Sequence, residues 1–233
     1  MRIIAFVACL MFVMGVAVDA SADGIIVAAP DSNIQNNNTF FANTFGGQDV
    51  FGRKGVNKPW TVDNWFFSVN AVASSASSGA VLTAAALVGQ EWVIAGGNDA
   101  WTNTELNLLS NFVSNGGNVW VVGEYGSFHN DVSIVGNSVL SHLGSSMVFS
   151  LNFNVGGDGN NITPHPFTVG VTSWDGGSSG RISGGNALVR DASGNVLVAY
   201  EGAVAAVPEP GSLALLGLGL AGVVYGRRRR KTV

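Results

Sequence analysis

The chain has 233 residues, with 11 lysines and arginines against 15 aspartates and glutamates, a formal net charge of −4 and a single cysteine. That balance understates the acidity of the middle, because five cations are packed into residues 227–231 and only five others face thirteen acids between residues 23 and 207. An acidic body of this kind lacks the cations a phosphate backbone requires, which argues against nucleic acid as a partner. The roughly 185 residues between the two ends suffice for one domain with its own core.

The start of the chain reads as a secretory signal peptide spanning residues 1–22. Met1-Arg2 is a short basic opening, Ile3 to Val18 is apolar, and Ala20-Ser21-Ala22 is a small-x-small cleavage site that predicts a mature terminus at Asp23. The secretion translocon and signal peptidase are the partners this implies. Cys9 lies inside the segment to be removed, so the exported body is expected to carry no thiol and no disulfide.

Within the body, Gly24 to Ala29 predicts a first strand. Residues 31–60 and 72–80 show no usable periodicity, and their Asn-rich and Ser-rich composition is read as loop. The clearest unit follows. Glu91 to Ala95 is a short apolar run closed by Gly96-Gly97, as in a buried strand. Thr102 and Glu105 have capping-box spacing at a helix start. Leu106, Leu109 and Val113 recur at helical intervals, and Gly116-Gly117 provides a left-handed stop. Asn118 to Gly123 then makes another buried strand, so a parallel βαβ unit is expected. Beyond it the pattern predicts a helix over 132–143, a strand over 147–151, and short strands over 167–171, 181–189 and 196–200, the last two joined by a turn at Asp191-Ala192-Ser193-Gly194. The expected fold class for residues 23–206 is α/β, a mostly parallel flavodoxin-like sheet with helices on both faces and extra antiparallel strands at its C-terminal edge.

The run from Thr104-Glu105-Leu106 through Gly123-Glu124, followed by His165-Pro166-Phe167-Thr168-Val169-Gly170-Val171, resembles the class I glutamine amidotransferase-like, flavodoxin-like superfamily over residues 81–201. Catalytic members carry a cysteine in the tight turn after such a strand. Here the turn reads Gly123-Glu124-Tyr125-Gly126-Ser127, so the resemblance implies the fold without the amidotransferase nucleophile. The same loop brings Ser127 and His129 close in sequence to Glu124 and Asp131, at a strand end where α/β sheets place ligands, which makes it a candidate ligand loop. A hydrolase built there lacks the G-x-S-x-G elbow. His129, His142 and His165 show no metal spacing, and Asp158 stands alone in its glycine-rich segment, so neither a metal nor a cofactor is expected. Trp60, Trp65, Trp101, Trp120 and Trp174 are candidate faces for stacking sugars; Trp120 belongs inside a strand, whereas Trp101 and Trp174 fall in loops and are the stronger candidates.

The end of the chain is the most specific feature. Val207-Pro208-Glu209-Pro210 precedes an uncharged run from Gly211 to Gly226, then Arg227, Arg228, Arg229, Arg230 and Lys231. Sixteen helical residues at 1.5 Å each reach ~24 Å, short of a ~30 Å hydrocarbon core, so the predicted transmembrane helix at about 212–226 is marginal as a permanent anchor. The arginine cluster should hold its end in the cytoplasm. Residues 207–233 resemble the PEP-CTERM sorting signal. That resemblance implies exosortase as a partner, an inner-membrane intermediate, and then the periplasm, outer surface or extracellular matrix of an exopolysaccharide-making bacterium. The expected function is a non-catalytic surface or exopolysaccharide-matrix protein. The alternatives are a secreted hydrolase of the amidotransferase-like fold and an adhesive or ice-binding protein, although no regular threonine array is visible.

Overall fold

A computed structural model describes residues 24–28, 36–126, 129–156 and 158–202. The predicted signal peptide with Ala20, Ala22 and Asp23, the sorting signal with its predicted membrane helix, and Ser127 lie outside the described residues. Among the described residues no helix is long and apolar enough to cross a membrane.

Strands and helices alternate through the first part of the chain: β1 (Ile25–Ala28), α1 (Asn38–Phe45), β2 (Asp49–Arg53), α2 (Trp60–Asn70), β3 (Ser75–Gly79), β4 (Trp92–Ala95), α3 (Asn103–Ser114), β5 (Asn118–Val122) and α4 (Asn130–His142). The five strands lie side by side in the order β3-β2-β4-β5-β1, all parallel. Alternation along each strand splits the side chains between two cores. Ile26, Ala28, Val50, Ile94 and Trp120 meet α1 and α2, while Ile25, Val27, Val93, Val119 and Val121 meet α3 and α4.

The β4-α3-β5 unit forms as the sequence dictates. Thr102 Oγ1 accepts from the Glu105 amide at 3.2 Å and the Glu105 carboxylate accepts from the Thr102 amide at 2.9 Å, completing the capping box. At the other end, the amide of Gly117 donates to Phe112 O and that of Gly116 to Val113 O, a Schellman stop made possible by Gly116 at φ +92°.

Residues 31–60 and 72–80, expected to be loops, contain α1, β2 and β3. Asparagines mask α1, but Phe40, Phe41 and Phe45 share its buried side. Phe41 and Phe45 stack on the Trp120 indole at 5.8 and 5.4 Å, and Trp65 meets it edge-on at 4.7 Å. Such ring pairs add roughly 0.5–1.5 kcal/mol each beyond the area they bury. β3 (Ser-Ala-Ser-Ser-Gly) has no apolar pattern, yet pairs with β2 from Asp49↔Ser75 to Arg53↔Gly79.

The C-terminal part adds antiparallel pairing, through β6 (Val148–Phe149), β8 (Asn161–Ile162), β10 (Ile182–Ser183), β11 (Asn186–Arg190) and β12 (Val196–Glu201), to give a ten-stranded sheet among the described residues. β7 (Val155–Gly156) and β9 (Ser178–Ser179) pair separately. β12 lies against β1 and joins β11 through the predicted Asp191 turn. Two expected strands change. Residues 166–168 are a 3-10 turn, because Pro166 favours a helical start and His165 and Thr168 cap each other's backbone. The segment 181–189 breaks at Gly184 and Gly185, both at positive φ; a Cβ on Gly184 would lie 2.1 Å from Ser146 O. The strand order also departs from a simple flavodoxin-like sheet: β2 to β5 follow the doubly wound pattern, but the chain's first strand takes the fifth place.

Candidate functional site

β2 and β4 are neighbours whose chains leave in opposite directions, β2 to α2 on one face and β4 to α3 on the other. This is the switch point of the sheet, the place beyond the carboxyl ends of the strands where open α/β sheets form their ligand crevice.

Arg53, the last residue of β2, has a side chain only 2% exposed. Its Nε is 3.2 Å from Glu105 Oε1, its other nitrogens donate to the carbonyls of Asp99 at 3.0 Å and Ala100 at 3.3 Å, and its guanidinium lies 4.8 Å over the Trp101 ring. Burial pushes the Glu105 carboxyl up, but hydrogen bonds from Thr102 and Leu82 and the charge of Arg53 outweigh it and hold its pKa below the ordinary value. Arg53 thereby ties the β4-α3 loop to β2. Asp99 fixes the loop after β2: it accepts from the amides of Asn57 at 3.0 Å and Val56 at 2.7 Å and from the Asn57 side chain. The Asn57 amide is the largest influence lowering its pKa, aided by Val56 and opposed by partial burial.

That loop delivers Lys58. Its ammonium is 2.8 Å from the Asp131 carboxylate and 3.0 Å from His129 Nδ1. Asp131 also accepts from Asn98 Nδ2 at 2.7 Å. Burial raises the Asp131 pKa, but the Lys58 and Asn98 hydrogen bonds and the charge of Lys58 outweigh it, so the net shift is downward. Trp60, half-buried, meets the His129 ring at 5.1 Å, and Tyr125 meets it at 5.9 Å. Asn98 Oδ1 is buried beside them with no hydrogen-bond partner among the described residues. The close approach of the loops demands glycine: Gly97 has φ +81°, and a Cβ there would lie 2.4 Å from Lys54 O.

An ammonium is donor-only, so Nδ1 of His129 must be the acceptor and a neutral ring carries its proton on Nε2. A serine hydrolase needs the reverse, with Nδ1–H held by a carboxylate and Nε2 free to take the serine proton.

The sequence-predicted candidates fare unevenly. His129 and Asp131 meet in the crevice. Glu124 is buried at the end of β5, its backbone held by Ser133, whose Oγ accepts from the Glu124 amide at 3.0 Å and donates to its carbonyl at 2.9 Å. Trp101 at 9% exposure and Trp174 at 1% are buried, the first under Arg53 and the second edge-on to Phe40, which corrects the expectation of open stacking faces. His165 caps its turn through Nδ1 and His142 is exposed at the end of α4. Among the described residues no cluster of three His, Cys, Asp or Glu is placed to hold a metal. Arg53, Lys58 and Asn98 escaped the sequence reading; only Gly-Gly-Asn-Asp after a buried strand signalled a loop of this kind. A depression of about 420 Å³ lies elsewhere, between Leu87, Leu108 and Phe112 toward the opposite end of the sheet.

Residues 206–230 match the PEP-CTERM protein-sorting motif. The PEP-CTERM signal implies an exported protein whose C-terminal segment is processed at the membrane by exosortase. The chain matches no curated protein and no solved structure.

Proposed function

We propose that this PEP-CTERM protein is a non-catalytic component of the cell surface or exopolysaccharide matrix, and that it binds carbohydrate at the switch-point crevice. The observation that carries the reading is a half-buried Trp60 beside a fixed fan of hydrogen-bonding groups, Lys58, Asn98, His129 and Asp131, with the buried Asn98 Oδ1 still short of a donor. Sugars offer an apolar ring face for an indole and hydroxyls that donate and accept at once, so one ligand serves both features. The export signal supplies the setting, since it delivers the body to where polysaccharide is. The His129 tautomer set by Lys58 supports a binding role over the hydrolase alternative. The parallel strands, with the switch point between β2 and β4, support a flavodoxin-like body in which the first strand has been relocated.

Retention of the purified protein on the host's own exopolysaccharide tests the proposal. Binding is expected to fall at least tenfold, about 1.4 kcal/mol, in Trp60→Ala. Absence of retention for the unmutated protein would defeat the proposal. Turnover of the polysaccharide that Glu124→Gln or Ser127→Ala abolishes would favour the hydrolase instead.

A further inference from the structure

The two ends of the body leave the fold together. β12 runs antiparallel to β1 with Glu201 opposite Ile25, so Gly202 stands beside Gly24. The Gly24 amide donates to Asn118 Oδ1 at 2.9 Å, the Asn118 amide donates to Glu91 O at 2.9 Å, and the Glu91 carboxylate accepts from the Asp49 amide. These contacts trace one continuous rim along the amino ends of β1, β5, β4 and β2. The crevice of Lys58, Trp60 and Asp131 occupies the carboxyl ends, at the opposite pole. The 13 residues of α4 run from one pole to the other, ~20 Å of helix before the loops are added.

We infer that the amino rim is the processing face: it points at the membrane while the sorting signal is attached, and the crevice points away from it. The sorting motif begins at residue 206, so three residues separate it from Gly202, ~10 Å of extended chain. With the rim toward the bilayer, the chain leaves the described body at Gly202 on the membrane side, where exosortase acts on the signal. With the body turned over, Gly202 would stand a domain's height further from the bilayer, and only three residues precede the motif. The charged side chains along the rim, Asp49, Glu91 and Glu201, are all acidic, so the short tether rather than charge attraction sets the orientation, and an anionic membrane surface does not hold the body once the tail is cut. The orientation gives the proposed carbohydrate site its access during tethering and rests on that reading only for what the crevice binds.

The mature chain expected after signal cleavage, residues 23–233, holds no cysteine; in vesicles of phosphatidylcholine and phosphatidylglycerol it tests the orientation with single cysteine probes. His142→Cys and Ala71→Cys report from the rim pole and Val56→Cys, 71% exposed in the unmutated protein, from the crevice pole. Energy transfer from a cysteine-linked dye to a headgroup acceptor is expected to be several-fold stronger from both rim positions than from residue 56. Equal or reversed transfer overturns the orientation. A protease site placed within residues 203–207 gives the second readout: the cut body is expected in the supernatant, and a body that stays on the vesicles overturns the proposed release. Neither readout uses polysaccharide, so their failure is distinguishable from failure of the carbohydrate reading.

Discussion

Replacing Arg53 by methionine isolates what a buried cation does at the switch point. Methionine retains most of the apolar stem, so the change removes chiefly the guanidinium. Glu105 is then left buried without its countercharge, and the carbonyls of Asp99 and Ala100 lose their donors. Breaking a buried pair by deleting one partner costs about 3–5 kcal/mol, because the surviving charge stays desolvated. Glu105 keeps donors from Leu82 at 3.1 Å and from Thr102, which places the expected loss near the lower end, about 3 kcal/mol. The double variant Arg53→Met/Glu105→Gln removes the orphaned charge and is expected to recover roughly half of that loss. Urea denaturation at neutral pH reads both, with the midpoint shifted and the slope unchanged. A loss below about 1 kcal/mol in the single variant would refute the reasoning, since the pair would then behave as a solvated surface bridge. The pH response has a definite sign. A carboxyl whose folded pKa is lowered adds stability above its unfolded pKa, and that stability is lost as the pH falls through the folded value. Arg53→Met removes one cause of the lowering, so its acid unfolding should begin at a higher pH than in the unmutated protein.

Gly97→Ala places a methyl 2.4 Å from Lys54 O at a positive φ, and should lower the unfolding free energy measured in urea by more than the ~1 kcal/mol typical of a strained turn residue. Thr102→Ala removes half of the α3 capping box and should cost about 1 kcal/mol in the same assay, with polysaccharide retention intact. Trp120→Ala empties the centre of the aromatic cluster and should cost about 3–5 kcal/mol, together with loss of the near-ultraviolet circular dichroism that stacked rings produce. Lys58→Met frees His129 Nδ1 and Asp131 from the ammonium; retention on polysaccharide should fall, and the nitrogen chemical shifts of His129 should show a changed tautomer.

How legible each part was in the sequence follows from how locally it is determined. The β4-α3-β5 unit could be read because its signals are short-range: an apolar run, a cap three residues from its partner, and paired glycines satisfying the last turn of the helix. α1 could not, since an asparagine-rich segment lacks helical propensity of its own and is held by Phe40, Phe41 and Phe45 against a tryptophan nearly eighty residues away. β3 has no apolar residue larger than alanine, and only pairing with β2 makes it a strand.

The crevice was the least legible part, for a reason built into switch points. Such a site is assembled from the ends of strands whose chains then diverge, so its members come from separate loops: Lys58 after β2, Asn98 after β4, His129 and Asp131 after β5. Sequence proximity gathered Glu124, Ser127, His129 and Asp131 into one candidate. The fold instead buries Glu124 and brings Lys58 to His129 and Asp131 from 71 and 73 positions away. Arg53 misleads in the same way, because a charged residue ending a strand suggests surface until the carbonyls that surround it are known. Tryptophans in glycine-rich loops suggest exposed platforms, but Trp101 is covered by that arginine and Trp174 by Phe40. The half-buried ring left beside the crevice is Trp60, at the first turn of a helix whose existence depends on Val62, Trp65, Phe66 and Val69 finding the sheet. The choice of Trp60 among the five candidate tryptophans therefore became readable only once tertiary packing had fixed which indoles are covered and which is left partly open.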